Sequence, residues 1–516
     1  MALLPIQGIG IKGIIRDINP IELPADAISN GNNIRTSSSG VGSAFGYEVL
    51  SQNPVDFSPE FNIHNHSVDA NSPVWIVCGS SSIYAYTNGW DDVTPVGIDT
   101  DFIHMNWTGC NLGKMCVINN LEPLYYDSIL GGNMVPLPFS PGVAWPEVDK
   151  TFKVIRNHNN FLFALNLTEG GEHYPDGYRW SHPADSNGIP FTWDETDPSG
   201  LASRESLGGD DGAIVDGLTL RNSFVIYSER GVDILDYNGD DFLFTRRSLA
   251  TSAGILATNC VVEHSGLHYF ISDGDVLVND GTSIKSIMQD RVRRQFVSEI
   301  NTGSRKNAYV VKNDLHKEIW FCVPTGSTEY ADVAYIYNWH TDAWGRRDLP
   351  GNTPHAAQGG VVLPKVTWNT VTGTWRGSVR TWGARKLSPE NETVVGCIID
   401  DSSLNMLDAS TANIEEATSF IERLSMPLEG IVGHVTANAI YPHMTGTATV
   451  QVSIGAQDFA GGPIQWGAAV DFKPGKDRKV DVRATGALLC YKVSYTGRGS
   501  WNLTGLDLDY VLRGQR

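Results

Sequence analysis

The residues that could do chemistry in this chain of 516 residues are scattered rather than gathered. Gly8-Ile9-Gly10-Ile11-Lys12-Gly13 spells the GxGxxG pattern that brings a backbone close to a pyrophosphate. That chemistry needs a strand before the glycines and a helix N-terminus after them. Only seven residues precede Gly8, and Pro20 and Pro24 follow soon after, so the pattern reads as a chance match in an extended arm. His64 and His66 form an HxH pair, but a metal site needs a third protein ligand and none stands at a suitable spacing, so a polar loop is the expected role. Asp236-x-Asn238-x-Asp240 begins like a calcium loop, yet no Glu closes it at the twelfth position, where Arg247 stands. No Walker A motif and no GxSxG elbow occur. The seven cysteines (Cys78, Cys110, Cys116, Cys260, Cys322, Cys397 and Cys490) show no CxxC and read as reduced, buried thiols. Sequons at Asn65, Asn106, Asn166, Asn391 and Asn502 carry no weight without a secretory signal. The residues thus nominate no catalytic, cofactor-binding or metal site.

Composition says what must surround them. Acids number 58 against 38 bases, a net charge of -20, which argues against a surface that grips a phosphate backbone. Gly at 53 positions, Pro at 25 and aromatics at 10%, with only 19% charged residues, suit many short strands joined by tight turns. Met1-Ala2-Leu3-Leu4-Pro5 lacks the basic region of a signal peptide, and no apolar run approaches membrane-spanning length. A soluble protein folded in a reducing cytoplasm, with no membrane partner, is expected.

The turns reveal a repeat. Ala213–Asp216, Phe224–Tyr227, Val232–Tyr237 and Phe242–Phe244 are apolar runs separated by Arg221-Asn222, Glu229-Arg230-Gly231 and Asn238-Gly239. Asn-Gly suits hairpins because both turn residues must accept positive φ. Asn259–Val262, Leu267–Ile271, Val276–Val278 and Ile284–Ile287 repeat the plan, and a third copy spans Ala308–Leu349. Looser copies start at Val74, Lys114 and Phe152, and a seventh candidate combines His355–Leu363 with Val394–Leu407 around a Trp-rich hairpin, Trp368–Trp382. Four-stranded units recurring every roughly 40–50 residues are propeller blades, whose faces are buried only by stacking around an axis. The expected fold is therefore all-β: a β-propeller of six or seven blades over residues 72–410, with a β-sandwich array as the alternative. Residues 1–71 read as an extended arm. In residues 411–516, Val450, Val452 and Ile454 alternate with polar residues, as do Tyr491, Val493 and Tyr495, which predicts a C-terminal β-sandwich platform that the arm joins. One helix is expected at Asp290–Ile300, with Val292, Phe296 and Ile300 on one stripe and Arg291, Arg293 and Arg294 largely off it.

Some propellers cleave glycans and carry recurrent Ser-x-Asp-x-Gly-x-x-Trp turns. Asp185, Gly188 and Trp193 echo this, but the spacing is wrong and the element does not recur. Several stretches instead resemble the short-tailed phage (podovirus) tail nozzle or tail hub family, which includes packaged-DNA stabilisation proteins. Gly13-Ile14-Ile15-Arg16-Asp17, Glu22-Leu23-Pro24, Asp26-Ala27 and Asn32-Asn33-Ile34-Arg35 resemble its N-terminal arm. Tyr178-Arg179-Trp180-Ser181 leading to Phe191-Thr192-Trp193, Tyr227–Val232, Gly274–Gly281 and Trp501–Leu508 with the ending Arg513-Gly514-Gln515-Arg516 are similar to other stretches of it.

The resemblance implies a non-enzymatic virion protein without cofactors, assembled in the host cytoplasm into the virion tail. It would form a homohexamer below the portal and adaptor, near tail fibre, spike or needle proteins, with DNA passing through the channel unbound during ejection. A glycan depolymerase and a lectin-like adhesin are the alternatives. Six copies of -20 would give a ring carrying -120. Channel-facing loops are accordingly expected to be acidic, with Asp91-Asp92, Asp210-Asp211 and Asp240-Asp241 as candidates for the lining.

Overall fold

The computed structural model describes residues 2–54, 60–66, 73–87, 89–97, 102, 107–120, 122–127, 131–239, 243–361, 392–409, 417–428, 433–497 and 499–513. The Trp368–Trp382 hairpin and Asp240-Asp241 lie outside them.

Tight turns fold the middle of the chain into four-stranded antiparallel meanders. The first blade is Glu60–His66, Val74–Gly79, Ile83–Tyr86 and Trp90–Asp92. The second is Thr108–Leu112, Met115–Asn120, Glu122–Asp127 and Val135–Pro136. The third is Lys150–His158, Phe161–Glu169, Glu172–Trp180 and Ser203–Ser206. The fourth is Ile214–Leu220, Ser223–Ser228, Val232–Tyr237 and Phe244–Ala250. The fifth is Val261–His264, Leu267–Ser272, Asp275–Asn279 and Ile284–Ser286. The sixth is Tyr309–Asn313, Glu318–Val323, Ala331–Asn338 and Ala343–Thr353. The innermost strands touch in sequence, and Ala356–Gly360 of the last blade returns to Glu60–His66 of the first. The ring is closed: a seven-bladed β-propeller.

The seventh blade corrects the expected boundary at residue 72. Its first three strands are Ala356–Gly360, Glu392–Ile398 and Ser403–Ala409, but its outer strand is Gly46–Gln52, and Glu60–His66 opens the first blade. Residues assigned to the arm thus belong to the ring. The physical reason is closure: a seventh blade built from consecutive sequence alone would leave an unpaired edge, which the distant strand covers.

Both faces of each blade are covered by neighbours, so central strands are apolar throughout rather than alternating. Val74–Gly79 and Glu318–Val323 are buried at every position. Separate apolar clusters fill the gaps between blades; between the second and third, Trp145 packs edge-on against Phe139, Phe152 and Trp193. All seven cysteines are free and six are buried.

Apart from a small hairpin of Pro138–Ser140 and Val143–Ala144, the remaining strands form two six-stranded sheets packed face to face. One contains Ile34–Ser37, Gly40–Ser43, Trp501–Leu512, Val435–Gly446 and Val480–Gly486, with Ala2–Gln7 added to Trp501–Leu512. The other contains Asn30–Asn32, Ala417–Met426, Leu488–Gly497 and Val450–Gln457, the last flanked by Gln465–Trp466 and Val470–Phe472. Val450, Val452, Ile454, Tyr491 and Val493 meet Leu503, Leu506 and Leu508 in one core, as period-2 alternation requires. Four arm strands therefore complete the sandwich.

The helix is shorter than expected, Arg293–Glu299. Asp290 stands at φ 59 and Val292 at φ -131, ψ 14, so the turn before the helix is not helical. Phe296 faces the core and meets Tyr335 edge-on at 5.3 Å.

Candidate functional site

Two places concentrate polar side chains where an all-apolar interior would be cheaper: the joint between platform and propeller, and the propeller axis.

At the joint, the arm runs along the outer strand of the sixth blade. Gly13 bridges Trp344, and the Ile14 amide donates to the Trp344 carbonyl at 2.8 Å. A Cβ on Gly13 would lie 2.4 Å from that carbonyl oxygen, and the residue sits at φ +69. The Asp17 carboxylate accepts from the Arg293 and Arg294 amides at 2.9 and 3.0 Å, capping the helix. Asn32 and Asn33 both donate to Asp348, at 2.7 and 2.9 Å. Arg35 then reaches into the sixth and seventh blades. Its Nε lies 2.7 Å from Glu318 and its Nη2 2.8 Å from Asp408. Asn313 donates to Asp408 at 2.7 Å, His316 Nε2 stands 3.3 Å away, and Arg347 approaches at 3.6 Å while stacking on Trp320 at 4.4 Å.

Charge balances here: two guanidiniums face two buried carboxylates. Burial alone would raise the Asp408 carboxyl, but Arg35 and Arg347 together hold it below the ordinary carboxylate value. Burial, and next the Arg35 charge, lower His316, which keeps it neutral at pH 7.

At the axis, Arg156 of the third blade makes a two-pronged pair with Asp216 of the fourth, at 2.9 and 3.0 Å. The same guanidinium donates to Asn259 before the fifth blade at 2.8 Å and to the Gly109 carbonyl of the second at 3.1 Å. The Trp107 carbonyl accepts from Asn259 at 3.3 Å and from Asn62 of the first blade at 3.4 Å. These bonds cross the ring, so side chains fill the axis at this level. Beside them opens a funnel of about 230 Å³ walled by inner-strand residues of the first, third, fourth and sixth blades and by the connections entering the second, fifth and seventh, with Lys153, Glu229, Lys306 and His355 among its lining. His355 lines it and His64 lies next to His355 with rings 6.1 Å apart; burial pushes His64 down to about 3 and His355 to about 4, so both are neutral at pH 7.

The residues weighed in the sequence fall as follows. Gly8, Gly10 and Gly13 all take positive φ in the arm, and the next helical turn is the short Pro20–Glu22. His66 bonds Asn111 and the Lys114 carbonyl at 3.0 and 3.1 Å, while His64 packs on Gly109. Among the described residues, no group of three or more His, Cys, Asp or Glu could hold a metal ion. Asp236 binds Arg247 at 2.9 Å. Asp185 accepts from the amides of Asn187, Gly188 and Ile189, a local turn, and Trp193 is buried. Asp91 and Asp92 sit on the outermost strand of the first blade, at the rim, and Asp210 and Asp211 flank the Arg230-Gly231 turn. The Arg35 and Arg156 clusters escaped sequence reasoning, although a charge closing an apolar run, as at Arg156 and Asp216, is a signal that could have marked them.

Among the described residues, no helix is long and apolar enough to cross a membrane. The chain matches no protein-family model and no curated protein. Among solved structures, YCF48 bound to a D1 peptide aligns with 70% of this chain and 98% of its own, at 12% identity and a TM-score of 0.36. BBS1N in complex with ARL6DN, soaked with mercury, aligns with 72% of this chain and 99% of its own, at 9% identity and a TM-score of 0.41. Both are β-propeller proteins, and this chain is a β-propeller whose seventh blade and sandwich platform are completed by its own N-terminal arm.

Proposed function

We propose that the chain is a structural protein of a short-tailed phage tail, forming the nozzle or hub ring below the portal and adaptor. The observation that carries this reading is where the family-like arm residues sit. Gly13, Asp17, Asn32, Asn33 and Arg35 are the residues that lock platform to propeller. A part that transmits force and docks neighbours needs two rigid bodies with a stiff joint, and the buried ion pairs of Arg35 with Glu318 and Asp408 supply one. Function then lies in shape, oligomerisation and gating rather than bond chemistry.

The filled axis adds a constraint. DNA has no path through the propeller itself, so the exit channel lies between subunits of a homohexamer. The platform faces the adaptor, and fibre, spike or needle proteins attach elsewhere on the ring.

Native mass spectrometry of the chain mixed with a portal–adaptor complex tests this. Six copies should join the full-length chain's complex, and a chain lacking residues 2–35 should stay soluble but unbound. Normal docking by that truncation, or no docking by the full chain, would refute the reading.

A further inference from the structure

Arg156 is committed to Asp216 and Arg35 to Glu318 and Asp408, while the buried Arg423 is held by the carbonyls of Pro20, Leu23 and Leu424. The axial funnel presents two exposed amines instead. Lys153, on the inner strand of the third blade, and Lys306, on the connection entering the sixth, both line it. Neither forms an ion pair among the described residues, and the third charged group, Glu229, is equally uncommitted. The third and sixth blades stand on nearly opposite sides of a seven-membered ring, so the two amines flank the cavity.

The other walls add further requirements. Asn62 spends its amide N–H on the Trp107 carbonyl, and its Oδ1 is buried with no partner, an acceptor in want of a donor. Phe61 and Tyr330 lie on one side, rings 6.3 Å apart and inclined by 37°. A matching ligand carries negative charge for the lysines, hydroxyl donors for Glu229 and Asn62, and an apolar ring face for the aromatics. A volume of about 230 Å³ admits one small ring rather than a chain.

We propose that the funnel binds a single anionic pyranose, a hexuronate or a sugar phosphate, free or as a terminal unit of a polysaccharide. Binding breaks no bond. The site belongs to one chain and does not rest on ring assembly, so it stands or falls separately from the tail reading.

Calorimetric titration of the full chain with D-glucuronate, glucose 6-phosphate, glucose and inorganic phosphate tests it. Glucuronate or glucose 6-phosphate should bind saturably, one per chain, at least about tenfold tighter than glucose or inorganic phosphate, since each charge-assisted hydrogen bond contributes about that factor. The stronger of the two names the source, a polysaccharide uronate or a phosphorylated metabolite. Lys153→Gln and Lys306→Gln should each weaken binding about tenfold. Both lysines are exposed, so unchanged melting temperatures are expected to accompany that loss. Equal affinity for glucose, equal affinity for inorganic phosphate, no saturable binding, or variants that bind as the parent does would each overturn the proposal.

Discussion

Arg35 holds more of this molecule together than its place in an extended arm suggests. It satisfies Glu318 and Asp408, both about 1% exposed, across 283 and 373 residues of sequence. Removing one partner of a buried pair leaves the other charges uncompensated, so Arg35→Ala should cost about 3–5 kcal/mol. Urea denaturation checks this, and a loss below about 1 kcal/mol, typical of an exposed pair, would contradict it. The pH dependence follows from the same residues. Asp408 is depressed in the folded state, so its contribution is present above the ordinary carboxylate pKa and lost as pH falls below it. The buried histidines act earlier. Burial lowers His158, His268 and His355 to about 4, while the unfolded chain takes up these protons below about pH 6.5. The unfolded state thus binds more protons between those limits, and stability falls as pH drops from about 6.5 toward 4. Melting temperature measured from pH 8 to pH 4.5 should decline below about 6.5; a flat profile would count against the histidine assignments. None of these partnerships was legible in the sequence, because each joins residues from different blades.

At the scale of elements, turns were the readable part. Asn238-Gly239, Ser265-Gly266 and Asp273-Gly274 mark strand ends; both residues take positive φ at Ser265-Gly266, whereas at the other two only Gly239 and Gly274 do, so the expectation of two positive-φ residues holds for one turn of the three. Alternation likewise marked the sandwich, where Val452 and Val493 face one another in register. The closing strand was not legible: Gly46–Gln52 is short, half-exposed and far in sequence from Ser403–Ala409, which it pairs. This gives a graded prediction. A chain starting at residue 46 should keep a closed propeller beside a weakened platform, whereas one starting at residue 54 should open the seventh blade and aggregate through its bare edge. Hydrogen exchange and light scattering distinguish the two; equal behaviour would mean that the outer strand is dispensable. Gly13→Ala should detach the arm locally, since its Cβ has no room against Trp344. Faster exchange at Ile14 and Ile15 with blade amides unchanged is the expected signature.

The whole molecule is a closed ring with a sandwich fixed to its rim, and its acidity lies in the ring: residues 1–45 and 411–516 are each balanced, so residues 46–410 carry the whole net charge of -20. The two six-stranded sheets each take strands from both ends of the chain, so neither the arm nor residues 417–512 could fold as observed alone. Composition pointed to many short strands but not to the filled axis, which arises from Arg156, Asp216, Asn259 and Asn62 meeting across blades. That filling separates two ways of making a channel. Electron microscopy of the purified chain, alone and with a portal–adaptor complex, tests the central claim most directly. The account predicts six-fold rings in which each propeller is sealed and a DNA-wide bore with a net acidic lining runs between subunits. Single particles at every concentration with and without the complex, or a ring whose bore passes through the propellers, would contradict it.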